Sequence, residues 1–92
     1  MKAILCREFG TPDKLTLEDV AGPDVGKGQV KIAIEACGVN FPDTLIIQNK
    51  YQFKPDLPFS PGGEVSGTII EVGEGVQDFQ IGDRVLSMTT WG

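Results

Sequence analysis

Between Gln29 and Gly38 the chain alternates: Val30, Ile32, Ile34 and Ala36 fall on one parity, Lys31, Ala33 and Glu35 on the other. Successive side chains of a strand point to opposite faces, so this period of two predicts a half-buried strand with one face on a core and one in water. Lys2 to Cys6 is an apolar-rich run that stops at Gly10-Thr11-Pro12-Asp13, which predicts a first strand and its connection. Leu15 and Leu17 alternate with Thr16 and Glu18, a weaker signal for a second strand. Glu64 to Val72 regains strand character and ends at the turn Gly73-Glu74-Gly75; Val76 to Ile81 then leads through Gly82-Asp83 into a last short strand, Arg84-Val85-Leu86.

One stretch follows another rule. In Asn40-Phe41-Pro42-Asp43 the Asn can cap a helix, the Pro is tolerated only in a first turn, and the Asp favours the same end electrostatically, which predicts a short helix through about Gln48. The segments Ala21 to Gly28 and Gln52 to Gly63, punctuated by Pro23, Pro55, Pro58 and Pro61, lose all periodicity and predict loops.

Twelve glycines and six prolines among 92 residues suit short strands and tight turns and do not suit long helices, so the composition leans all-β. A chain of this length buries little more than half of its unfolded surface and makes one small domain, which excludes a two-domain enzyme within it. Eight basic against thirteen acidic residues leave a net charge of −5, which repels phosphate backbones and anionic lipid; no nucleic-acid and no membrane partner is expected. No segment approaches the ~20 apolar residues of a membrane span, and the N-terminus has no signal-peptide pattern, so a cytoplasmic location is expected. There is no histidine, and the two cysteines, Cys6 and Cys37, lie in apolar runs. They are expected as small buried residues without a disulfide, and no metal site is expected.

Familiar catalytic patterns are missing. Gly73-Glu74-Gly75 does not extend to a dinucleotide fingerprint, because the third glycine would fall on Asp78 and no helix pattern follows. There is no P-loop, no histidine to act as a general base and no serine in a nucleophile elbow.

Four motifs in order carry a resemblance instead: Cys37-Gly38-Val39-Asn40-Phe41-Pro42-Asp43, Gly62-Gly63-Glu64-Val65-Ser66-Gly67, Glu71-Val72-Gly73-Glu74-Gly75-Val76 and Gly82-Asp83-Arg84-Val85. Together they resemble the N-terminal, GroES-like catalytic domain of the medium-chain dehydrogenase/reductase superfamily, over essentially the whole chain. Val39 to Asp43, Lys50-Tyr51 and Leu57 to Gly62 look most like the zinc-independent NADPH:quinone oxidoreductases. The resemblance implies a mainly β fold, a GroES-like partly open β-barrel with one short helix.

It also implies a chemistry. Zinc-dependent members carry a ligand cysteine where this chain has Asn40 and a ligand histidine where it has Gly63, so zinc polarisation of a carbonyl is not expected. The family binds NADPH between this domain and a Rossmann domain, and delivers hydride to a quinone or another conjugated carbonyl. Asn40 and Tyr51 match positions that contact the nicotinamide or the substrate, and Asp43 matches an acidic residue beside the cleft. These three are the expected catalytic residues, with Asn40 also on the cofactor. Each has a plainer role open to it: Asn40 as a helix cap, Asp43 as a favourable charge at the helix start, Tyr51 as loop packing. Glu64 is expected as a buried structural partner, Asp83 and Arg84 as a local ion pair, and Gly62, Gly63 and Gly67 at close crossings or positive φ.

The Rossmann domain is absent from residues 1–92, which end at Trp91-Gly92, so the chain is expected to be a portion of a longer protein, a homodimer when whole and inactive alone. Two other readings stay open: an enone or enoyl-thioester reductase on the same scaffold, and a stand-alone GroES-like binding or assembly module.

Overall fold

The computed structural model describes residues 1–89; Trp91 and Gly92, where the expected end falls, lie outside the described residues. The fold is mainly β with one short helix. In chain order the elements are β1 (Lys2–Leu5), a 3-10 turn (Pro12–Lys14), β2 (Thr16–Asp19), β3 (Val30–Gly38), α1 (Phe41–Ile46), β4 (Glu64–Val72) and β5 (Arg84–Met88). The strands form a two-stranded sheet, β1-β2, and a three-stranded sheet, β3-β4-β5, neither of them closed. Among the described residues no helix is long and apolar enough to cross a membrane.

The chain divides into two compact units. The first takes Met1–Ala21, Gly38–Glu64 and the segment from Met88. Here β1 and β2 pair antiparallel from Lys2 opposite Asp19 to Leu5 opposite Thr16. The Arg7 guanidinium grips Glu18 through two bonds of 2.6 and 2.8 Å, and the Thr16 hydroxyl donates to the same carboxylate at 2.6 Å. These donors hold the Glu18 carboxyl down at about 2, the Arg7 bond contributing most.

Past β1, Cys6 exchanges both backbone hydrogen bonds with Phe59, at 2.8 and 3.2 Å, and so joins the hairpin to the proline-rich loop. Cys6, Ile46, Ile47 and Phe59 form a buried cluster against which Phe9, Leu15 and Tyr51 pack. Burying an aliphatic or aromatic side chain of this size contributes about 1.5–3 kcal/mol, so this cluster is the main support of the unit. Burial, and secondarily the charge of Glu8, push the Cys6 thiol up.

The second unit takes Gly22–Cys37 and Val65–Ser87. Gly28 N–H donates to the Glu74 carbonyl at 2.9 Å and Gly73 N–H to that of Gln29 at 2.7 Å, which ties the entry of β3 to the exit of β4. Ile69 is buried to 1% exposure, and its backbone bonds Gly82 and Asp83 at the start of β5. Gly67 is a close crossing as expected: a Cβ there would lie 2.1 Å from the Ala33 carbonyl oxygen. Gly62, in the first unit, has the positive φ expected of it, at 116°.

Four expectations need correction. The apolar parity of β3 is not covered along its length: Val30 and Ile32 are half-buried, whereas Ile34 is 61% exposed. Alternation dictates which residues share a face, not what lies over that face. Cys37 is exposed, not buried, as are all the residues from Ala33 to Cys37 on both faces of the strand. Arg84 pairs with Glu35 at 3.2 Å, while Asp83 accepts the Gln80 N–H at 2.9 Å and closes a turn, so no local Asp83–Arg84 pair is seen. Glu64, expected to be buried, is exposed at the first position of β4, where its strand neighbours no longer enclose it.

Candidate functional site

The site is built within the first unit, at the start of α1. Asn40 has the extended backbone of an N-cap, φ −127° and ψ 165°, and Pro42 falls in the first turn, where its missing N–H costs nothing. The Asp43 carboxylate accepts the Asn40 N–H at 2.8 Å, and the Asp43 N–H donates to the Asn40 carbonyl at 3.0 Å. A carboxylate three residues into the helix thus reaches back to satisfy the cap backbone, as in a capping box. Asp43 therefore has a structural task at this position, whatever else it does.

After α1 the chain turns at Asn49, whose φ is +59°, and delivers Tyr51. The Tyr51 ring packs on the buried cluster and lies 5.8 Å from the ring of Phe53, tilted by 56°, an arrangement that favours aromatic edges over faces. The Lys54 ammonium bonds the Asn49 carbonyl at 2.9 Å and its side-chain oxygen at 3.1 Å, which fixes the loop that carries Tyr51.

These elements enclose a surface cleft of about 430 Å³. Asn40, Pro42, Asp43 and Ile46 line it from the helix, and Tyr51 from the loop. Gly63 and Glu64 line it from the entry of β4, Met88 and Thr89 from the exit of β5. The Thr89 N–H donates to the Gly63 carbonyl at 2.6 Å and locks those two walls together. A Cβ on Gly38 would fall 2.0 Å from a Glu64 carboxylate oxygen, so the bare Cα of Gly38 leaves room for that carboxylate at the rim.

All three expected residues, Asn40, Tyr51 and Asp43, are brought to one cleft. Glu64 joins them as a second carboxylate, and Gly63 lies between the walls with no side chain to offer a metal. No group of three histidine, cysteine, aspartate or glutamate side chains is clustered to hold a metal ion among the described residues. Met88 and Thr89 carry no motif signal; only the folding of β5 beside β4 brings them here. The cleft can hold a small flat molecule against Ile46, Pro42 and Met88, with an amide, a phenol and a hydroxyl able to bond its polar edges.

A mainly β chain with such a cleft at the start of its helix defines a class. Residues 26–92 match the model of the alcohol dehydrogenase GroES-like domain, and the chain belongs to that family, in the medium-chain dehydrogenase/reductase superfamily. It is 45% identical over 92 residues to quinone oxidoreductase-like protein 2 homolog of Nematostella vectensis, matching 99% of this chain and 25% of that protein. It is 48% identical to the quinone oxidoreductase of Lama guanicoe, over 98% of this chain and 28% of that protein. The crystal structure of Escherichia coli quinone oxidoreductase complexed with NADPH superposes with a TM-score of 0.90 at 30% identity, covering 97% of this chain and 27% of that one. The chain thus spans about a quarter of the length of these relatives.

Proposed function

We propose that this chain is the N-terminal, acceptor-binding part of the catalytic domain of an NADPH-dependent, zinc-independent quinone oxidoreductase. In this proposal a Rossmann domain outside residues 1–92 completes the enzyme, which works as a cytoplasmic homodimer. The observation that carries the reading is the meeting of Asn40, Tyr51 and Asp43 in one cleft beside apolar Ile46, Pro42 and Met88.

NADPH fits this chain at its nicotinamide end only. Asn40 supplies an amide that could bond a carboxamide. The glycine turn at 73–75 is followed by strand β5 and not by a helix, so it lacks the helix N-terminus on which a pyrophosphate sits. When bound, the cofactor supplies the hydride. The protein's own part is to place the acceptor, exclude water and meet the charge that grows on the accepting oxygen. Tyr51 is the proposed donor to that oxygen, and Asp43 holds the Asn40 backbone so that its amide keeps a fixed direction. Asn40 and Gly63, neither of them a serviceable zinc ligand, support a route without zinc.

The test is turnover of a small uncharged quinone by the longer protein. Asn40→Ala and Tyr51→Phe are each expected to lower it about tenfold, or ~1.4 kcal/mol in the barrier, less than an oxyanion donor is worth in acyl transfer because quinones accept hydride readily. Asn40→Ala should act mainly through KM for NADPH and Tyr51→Phe mainly through kcat. Unchanged constants in both variants would return the residues to helix cap and loop packing.

A further inference from the structure

We propose that the cleft selects uncharged acceptors and rejects anionic ones, through the carboxylates of Asp43 and Glu64; this rests on the reductase reading above and narrows its substrate class. Both carboxylates line the cleft, and among the described residues no lysine or arginine does. Of the basic side chains on the neighbouring segments, Lys54 is engaged on Asn49, Lys14 lies near Glu8 at 3.5 Å and Arg7 is held by Glu18, while Lys50, next to Tyr51, is exposed and is not among the lining residues. The start of a helix ordinarily welcomes an anion, but here the Asn40 N–H is already occupied by Asp43. The Asn40 amide and the Tyr51 phenol on the same lining bond neutral carbonyl or hydroxyl oxygens without needing a counter-charge. A quinone or a simple enone meets these conditions, whereas a sulfonated quinone or an acceptor with a carboxylate close to its carbonyl does not.

Placing one negative charge about 4 Å from one carboxylate, even with the screening of bulk water, disfavours binding about fivefold. Two carboxylates set the upper range near twenty-fivefold at low salt, and the penalty fades as the Debye length shrinks from about 10 Å at 0.1 M to about 3 Å at 1 M.

The experiment titrates the isotopically labelled 92-residue chain, under argon, with three probes at millimolar concentration: hydroquinone, hydroquinone sulfonate and the uncharged hydroquinone sulfonamide. Quinols avoid addition to the exposed Cys37 thiol. The amide shifts of Asn40, Tyr51, Gly63 and Thr89 report binding. Hydroquinone and the sulfonamide are expected to bind at least fivefold more tightly than the sulfonate at low salt, with the gap closing by 1 M salt. Glu64→Gln should narrow the gap several-fold and Glu64→Lys should invert it. Asp19→Asn makes the same change in net charge as Glu64→Gln but lies outside the cleft lining, and should leave the gap nearly as it was. Equal binding of sulfonate and sulfonamide, a gap insensitive to Glu64, or no saturable shift with any probe would each overturn the inference. The turnover test above is read separately: an active enzyme that shows no charge discrimination sinks this inference alone, and discrimination without turnover sinks the reductase reading alone.

Discussion

Replacing Gly67 by alanine probes the strand that delivers Glu64 to the cleft. The added Cβ would lie 2.1 Å from the Ala33 carbonyl oxygen, 2.9 Å from the Ala33 carbonyl carbon and 2.9 Å from Ile32 Cγ2. Ordinary contact begins near 3.4 Å, and the atom in the way is backbone, which cannot swing aside as a side-chain tip can. Separation by roughly 1 Å must come from bent backbone angles, at about 4 kcal/mol for a 15° distortion, or from parting of the packed segments, at about 1–3 kcal/mol. A loss of about 3 kcal/mol is therefore expected, a large share of the ~5–14 kcal/mol that a chain of this size commands. In urea unfolding followed by circular dichroism, with a slope of about 1–2 kcal/mol per molar, the midpoint should fall by roughly 2 M. Gly75→Ala is the comparison: its φ of +85° is unfavourable for alanine, but nothing lies within 4 Å, so only the backbone cost of about 1–2 kcal/mol should appear. If Gly67→Ala costs no more than Gly75→Ala, β3 and β4 are not pressed together at this point and the account of the fold is wrong.

Two further outcomes concern Glu18 and the two cysteines. The Glu18 carboxyl drops from an ordinary 4.5 to about 2 on folding, so its contribution is complete above pH 4.5 and is lost as pH falls toward 2; Glu18→Gln should remove this part of the acid sensitivity in melting curves recorded across that window. Iodoacetamide should label Cys37 well before Cys6, which is fully buried with its thiol pushed up, and mass spectrometry of peptides from chain labelled in and out of denaturant should show Cys6 protected until unfolding.

Much of this architecture is legible along the chain, for reasons that differ by residue. The limits of β3 and β4 follow from periodicity and from glycine turns, both local properties. The start of α1 is legible because capping is local too: Asn40, Pro42 and Asp43 lie within one turn. What a face meets is not local. Ile34 has the right parity for a core and nothing in the alternation says how far that core extends. The partner of Arg84 is Glu35, 49 residues earlier, and charge adjacency in sequence pointed instead to Asp83. The motif around Glu64 carries no signal that it opens β4, and at that strand end its carboxylate is exposed. Thr89 shows the same limit at the cleft, since only the pairing of β4 with β5 brings it to Gly63.

The hydrogen bond between Thr89 and Gly63 also sets an order of events. Synthesis proceeds from the N-terminus, and domains begin to fold as they emerge. The β1-β2 hairpin, α1 and the cluster that joins Cys6 to Phe59 have all their residues once Phe59 has left the ribosome. The cleft does not, because Met88 and Thr89 form one of its walls. A growing chain therefore holds Asn40, Asp43 and Tyr51 on a supported surface for about thirty residues of further synthesis, roughly two to six seconds at bacterial-to-eukaryotic elongation rates, before the wall made by Met88 and Thr89 can form. The cleft is thus completed after the cluster that supports it, and its completion requires that β4 and β5 have already found their places.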